Sequence, residues 1–365
     1  MQRLGLQLDF DCSRGKIKDG LIVKELAENI FSEHSAESGW SKLKVLGEAR
    51  NFQPPDFDKE KLKHPNFRFP GTLSPNGRTI AILQNEKGIG GIKLSSLDSG
   101  EQMSVTLLGQ TKFSAANWEF TPNMTFSEDG KRLICGLKRR GNDQYAFGIA
   151  QILGDHAEFN VVAFDSGDSY RLLSLDGGKI YNLGDKGFEV WDLKTKRPKR
   201  YKYGALNDLP REAKFLPDKQ SFVFLTGGGE LCWVRMGEKA DLTVIDREVT
   251  SFVVDHKNNR LIIANGNLCS FDLKTGQKEM LDTVYYPSSL ALSPDGRYCF
   301  SEPNYYYGKV EVTDLKLRGG LAHRVGEVKL DKETESVQEI RYDSQGKVTV
   351  LTRDGKVYQL GKGGA

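Results

Sequence analysis

Long apolar runs are missing from this 365-residue chain, and so is any pairing pattern among its cysteines. No stretch approaches the roughly 20 apolar residues of a membrane-spanning helix. The opening MQRLGLQLDFDC is interrupted by Gln7 and Asp9 before it reaches the length of a signal-peptide core. Cys12, Cys135, Cys232, Cys269 and Cys299 are odd in number and scattered, with no CxxC pair. That argues against a zinc module or a disulfide scaffold and for a reducing compartment. A cytoplasmic location is expected, with signal-less export left open. An excess of one charge is lacking too: 52 Lys+Arg against 49 Asp+Glu leaves +3, far from the basicity of a dedicated nucleic-acid binder.

Catalytic patterns are equally scarce. His34, His64, His156, His256 and His323 fall in different segments, with no carboxylate or cysteine at ligand spacing. HExxH, GxSxG and P-loop sequences are absent, so no catalytic residue, metal ligand or cofactor is assigned. His256, between Asp255 and Lys257, reads as a solvated turn residue. The glycine-rich TGGGE at 226 and KGIGGI at 87 open no helix whose N-terminus could hold an anion, and read as hairpin turns.

What the chain does contain is a repeat. An alternating strand, a tight turn and a second strand recur as GTLSPNGRTIAIL at 71, MTFSEDGKRLICGL at 124, RLLSLDGGKIYNL at 171 and AKFLPDKQSFVFL at 213. They return as SFVVDHKNNRLIIA at 251, LALSPDGRYCF at 290 and EIRYDSQGKVTVL at 339. Pro-Asp-Gly, Glu-Asp-Gly and Asn-Asn suit the backbone angles of antiparallel turns. A third strand then ends near Asp, as in FEVWDLKT and LCSFDLKTG, and a turn leads to a fourth. Four strands roughly every 45 residues, seven times, predict an all-β fold: a seven-bladed β-propeller of four-stranded antiparallel blades.

The SPDG turns, VWDLKT and FDLKTG resemble the WD40 and YVTN-like propeller superfamily over roughly residues 65–360. One repeat alone carries Trp-Asp and none the Gly-His dipeptide, so the hydrogen-bond network of well-formed WD40 units is not carried over. Propeller lactonases and hydrolases hold a metal in the central channel with ligands that leave no short motif. An enzyme of that kind is the alternative reading. The last repeat ends at its third strand, and KLKVLGEA (42–49) is expected to supply the fourth and close the propeller domain, 42–365. Residues 1–41 read as an extension: an alternating strand, LGLQLDF, and an amphipathic helix bearing Ile22, Leu26 and Ile30. A partner-binding helix and a decayed eighth blade are the alternatives for this segment.

In a propeller, the connections between blades and the loops joining second to third strands open on one rim. This places Tyr285 and Tyr286 beside Tyr305, Tyr306 and Tyr307, and Trp118 near Arg139 and Arg140. Tyr, Trp and Arg dominate binding hot spots. A protein or peptide ligand on this rim is therefore expected, the competing reading being that some rings fold back to cap the strands. LKRRG resembles the Arg-Arg pair of phosphoinositide-binding propellers, but its blade position does not match. The basic run Lys194, Lys196, Arg197, Lys199, Arg200 and Lys202 falls on the turn and outermost strand of the third blade. Lys on such an edge discourages pairing with other chains, so neither nucleic acid nor acidic lipid is the expected partner.

Overall fold

The computed structural model describes residues 43–46, 48–52, 69–86, 89–106, 117–141, 144–153, 156–166, 171–173, 178–184, 187–195, 197–202, 206, 208–282, 287–303, 308–318, 321–330, 336–343 and 346–362. The expected extension, residues 1–41, lies outside them. The described residues form seven antiparallel sheets arranged as a β-propeller. Blades 1 to 6 take their four strands in chain order, beginning at Gly71, Trp118, Arg171, Pro210, Ser251 and Leu290. Blade 7 contributes Val337–Tyr342, Val348–Thr352 and Lys356–Lys362. Its outer position is taken by Leu43–Val45, antiparallel to the last of these, with Leu43 opposite Lys362 and Val45 opposite Leu360. Arg50 and Asn51 pair with the other end of the same strand, opposite Val357 and Lys356.

Period-2 alternation explains how the blades stack. In Ser221–Thr226, the second strand of blade 4, Phe222 and Phe224 face blade 3 while Val223 and Leu225 face blade 5. Both faces are buried, so the strand reads as the continuous apolar run SFVFLT. Among the described residues, buried side chains fall into seven apolar clusters, each spanning one seam between neighbouring blades. Trp191 lies in the seam between blades 2 and 3, edge-on to Phe147 at 5.5 Å.

Two turn designs recur because their side chains replace missing backbone partners. In blades 1, 2 and 6 a serine donates its hydroxyl to the Asn or Asp two residues on: Ser74 to Asn76, Ser127 to Asp129 and Ser293 to Asp295. The same oxygen accepts the N–H five residues on, from Thr79, Arg132 and Tyr298. Gly77, Gly130 and Gly296 complete these turns at φ 65°, 69° and 70°. On the same rim, Asp192 accepts the N–H groups of Lys194 and Thr195, and Asp272 those of Lys274 and Thr275. The Thr195 and Thr275 amides hold these two carboxyls below the usual Asp range. Ser293→Ala should cost about 1–3 kcal/mol, the penalty for stranding the buried Tyr298 N–H. Urea unfolding monitored by tryptophan fluorescence measures it.

Candidate functional site

Tyr285, Tyr286, Tyr305, Tyr306 and Tyr307 lie outside the described residues, but the bases of both loops that carry them are described. Ser288, just after the first pair, has its Oγ 2.5 Å from Glu302 Oε2, at the start of the loop carrying the other three. Glu302 Oε1 accepts the Val337 N–H at 2.8 Å, and Ser336 Oγ stands 3.5 Å from Oε2. One carboxyl group therefore joins three neighbouring pieces of the rim: the connection from blade 5 to 6, the loop within blade 6, and the connection from blade 6 to 7. A further bond, Thr250 Oγ1 to the Pro287 carbonyl at 2.9 Å, ties the first of these to blade 5. Glu302 is 1% exposed. Burial pushes its carboxyl up to about 7, against the opposing bonds from Ser288, Val337 and Ser336 and the charge of Arg353.

The other three expected contact residues do come together. Trp118 opens the innermost strand of blade 2 and pairs with Arg139 across the hairpin, while the Arg140 N–H donates to the Asn117 carbonyl at 2.8 Å. Arg139 and Arg140 are exposed, bonded respectively to Gln144 at 2.7 Å and to Glu119 at 3.9 Å. Trp118 is the exception to the expected contact face. It is 6% exposed and packs with Phe120, Leu137 and Ala146 in the seam between blades 1 and 2. Its ring is core, the strand-capping alternative, because residue 118 belongs to the strand Trp118–Phe126 and not to a loop. Blades 7 and 1 separate blade 6 from blade 2 on the shorter way round the ring, so Arg139 and Arg140 stand across the channel from the loop bases at 287–289 and 302–303.

The basic run occupies the turn and outer strand of blade 3. Among the described residues Arg197–Lys202 pairs with Gly187–Asp192 alone, and all of its residues but Tyr201 are exposed. Lys199 Nζ lies 4.8 Å from the Tyr201 ring centre, Tyr201 stacks on Phe188, and Arg200 Nε reaches Glu189 at 2.7 Å. Lys194 is exposed in the preceding turn, and Lys196 lies outside the described residues.

In the central channel a cavity of about 230 Å³ is lined by Glu212, Lys214, Gln338, Glu339 and Arg341, among others. Lys214 Nζ bonds Glu212 at 2.9 Å and the Phe252 carbonyl at 3.0 Å. Glu339 pairs with Arg341 and accepts the Leu73 N–H at 3.0 Å. Gln338 accepts from the Phe69 N–H and donates to the Phe69 and Gly71 carbonyls, joining blade 7 to blade 1. Among the described residues no group of three or more His, Cys, Asp or Glu side chains is placed to hold a metal, and no helix is long and apolar enough to cross a membrane. The residue at this junction that sequence reasoning passed over is Glu302; its place directly after the strand Tyr298–Ser301 is legible, but its enclosure is not.

No protein-family model and no curated protein matches the sequence. Many solved structures match by fold, among them the crystal structure of Chaetomium thermophilum Raptor, with a TM-score of 0.61 and 9% identity over 91% of this chain. The chain corresponds to 30% of the Raptor chain. At that identity the likeness is one of backbone architecture. By its repeats, its sheets and this likeness of backbone, the chain is a seven-bladed β-propeller.

Proposed function

We propose that the chain is a non-catalytic interaction scaffold that binds a protein or peptide on the rim bearing Tyr285, Tyr286, Tyr305, Tyr306 and Tyr307, with Arg139 and Arg140 as a second contact across the channel. The observation that carries this reading is the Ser288–Glu302–Val337 junction, which fixes the bases of the two tyrosine-bearing loops against each other. Five tyrosines on two loops with bonded bases offer large, partly pre-organised contact area at low entropic cost. The channel supports the rim reading too, since its carboxylates Glu212 and Glu339 are bonded to the protein's own groups. Exposed Lys199 and Lys202 on the outer edge of blade 3 serve to keep that edge from pairing with other chains. The four described cysteines are free and buried, which fits a reducing compartment.

Changing Tyr305, Tyr306 and Tyr307 together to Ala should leave the circular dichroism spectrum and melting temperature unchanged and remove the partner. A hot-spot side chain is worth about 2 kcal/mol or more, so if two of the three are hot spots the loss of about 4 kcal/mol should lower affinity about a thousandfold. Quantitative affinity capture from native lysate, with Lys199→Glu as the control, gives the comparison. If the triple variant retains the same partners at the same yield, the site assignment is wrong.

A further inference from the structure

We propose that Glu302 is a proton-operated fastening of the three stretches it touches, 287–289, 302–303 and 336–337: protonated, it locks them into one unit, and ionised, it lets them part. The consequence for binding rests on the rim reading above, whereas the fastening itself can be measured without any partner.

The geometry supplies two hydrogen-bond patterns. In the acid form the proton on Oε2 is donated to Ser288 Oγ, and the Ser288 hydroxyl turns its own hydrogen to the Val337 carbonyl, 3.2 Å away. The Val337 N–H donates to Oε1 throughout. When the proton leaves to solvent, the Ser288 hydroxyl must donate to Oε2, and the Val337 carbonyl loses that donor. A charge now sits at a position 1% exposed. The bonds from Ser288, Val337 and Ser336 and the charge of Arg353 relieve it only in part; the rest must come from water, which enters when these stretches separate.

The groups packed around the carboxyl offer little alternative relief. The 287–289 stretch presents Ser288, and 336–337 presents Ser336 and Val337. Among the described residues, Arg353 from the blade 7 loop is the charged group that faces it. Asp354 beside it is bonded within its own turn to Thr352. The sign follows from the direction of the shift. The closed state holds the proton more tightly than an open, hydrated one, so protonation favours closure. That stabilisation is full below about 4.5 and is lost as pH rises through about 7.

The reporter is the Val337 amide, which donates to Glu302 itself. Its hydrogen exchange, corrected for intrinsic pH dependence, should be followed from about pH 5 to 8.5. Linkage predicts that opening rises up to tenfold per pH unit between the two values, so protection falls about fortyfold from pH 5 to 7 and levels by about pH 8. The Leu225 amide, deep in blade 4, should not follow. Glu302→Gln keeps an acceptor for Val337 and should give a flat profile. Should that variant fail to fold, Arg353→Ala provides the second arm, because removing the facing cation must move the midpoint upward. A wild-type profile independent of pH, Glu302→Gln retaining the wild-type dependence, or a midpoint unmoved in Arg353→Ala would each overturn the proposal. Loss of the rim reading alone would instead show as a normal Val337 profile with partner binding indifferent to the tyrosines.

Discussion

Removal of residues 1–52 is expected to cost the propeller its closure, lowering the melting temperature by on the order of 10 °C and promoting self-association. Leu43–Val45 and Arg50–Asn51 both pair with Lys356–Lys362. Between and beyond them the Leu46 N–H donates to the Gln359 carbonyl at 2.7 Å, and the Phe52 N–H to the Gly355 carbonyl at 2.9 Å. Side chains add to the ladder. Ala49 packs on the cluster between blades 6 and 7, and Phe52 on the one between blades 7 and 1. Several net hydrogen bonds at about 1 kcal/mol each, and a partly buried Phe at about 2 kcal/mol, make a sizeable fraction of the 5–15 kcal/mol that holds a typical domain together. The bare edge would then be a template for strand pairing between molecules. Light scattering and differential scanning calorimetry test this, with a peptide spanning residues 42–53 added in trans to restore the wild-type behaviour. A truncated protein that melts and elutes like the full chain would contradict it.

Phe222→Ala is expected to destabilise the protein by about 3–5 kcal/mol. Phe222 is 0% exposed at the centre of the seam between blades 3 and 4. Its ring meets Phe188 at 5.2 Å and Tyr181 at 6.0 Å edge-on, with Phe215 and Phe224 at 6.3 and 6.4 Å. Four aromatic neighbours drawn from two blades cannot all shift into the space left behind, so most of the cavity would persist. Denaturant unfolding measures the loss. A cost below about 1 kcal/mol would mean that the seam can collapse, against the close packing described for it.

The fold was legible because its information is local. Ser293, Asp295 and Gly296 form a turn from neighbouring residues alone, and the run SFVFLT announces a strand buried on both faces. Trp118 was misread for an equally local reason. Pro122 interrupts WEFTPNMTF and looks like the end of a loop, but the strand accommodates it in an irregular stretch of register between Phe120 and Met124. A bulge absorbs a residue that cannot donate to the ladder, and the strand resumes beyond it. Glu302 was illegible for the opposite reason. Its character comes from Ser288 and Val337, 14 and 35 residues away in sequence, and nothing in the Glu-Pro dipeptide shows that its oxygens will be enclosed. That blade 2 falls across the ring from blade 6 likewise depends on the number of blades and not on any local motif.

The pairing of Leu43–Val45 with Lys356–Lys362 also sets a timetable. During synthesis the early strand leaves the ribosome roughly 300 residues before its partner exists, an interval of about 15–60 s at 5–20 residues per second. Blades 1 to 6 can each form as their own hairpins emerge, since their contacts are close in sequence. The seventh cannot, and until it does the nascent chain carries an unpaired strand and two uncovered apolar seams. That interval is when exposed apolar surface and an unpaired strand make the nascent chain most open to aggregation.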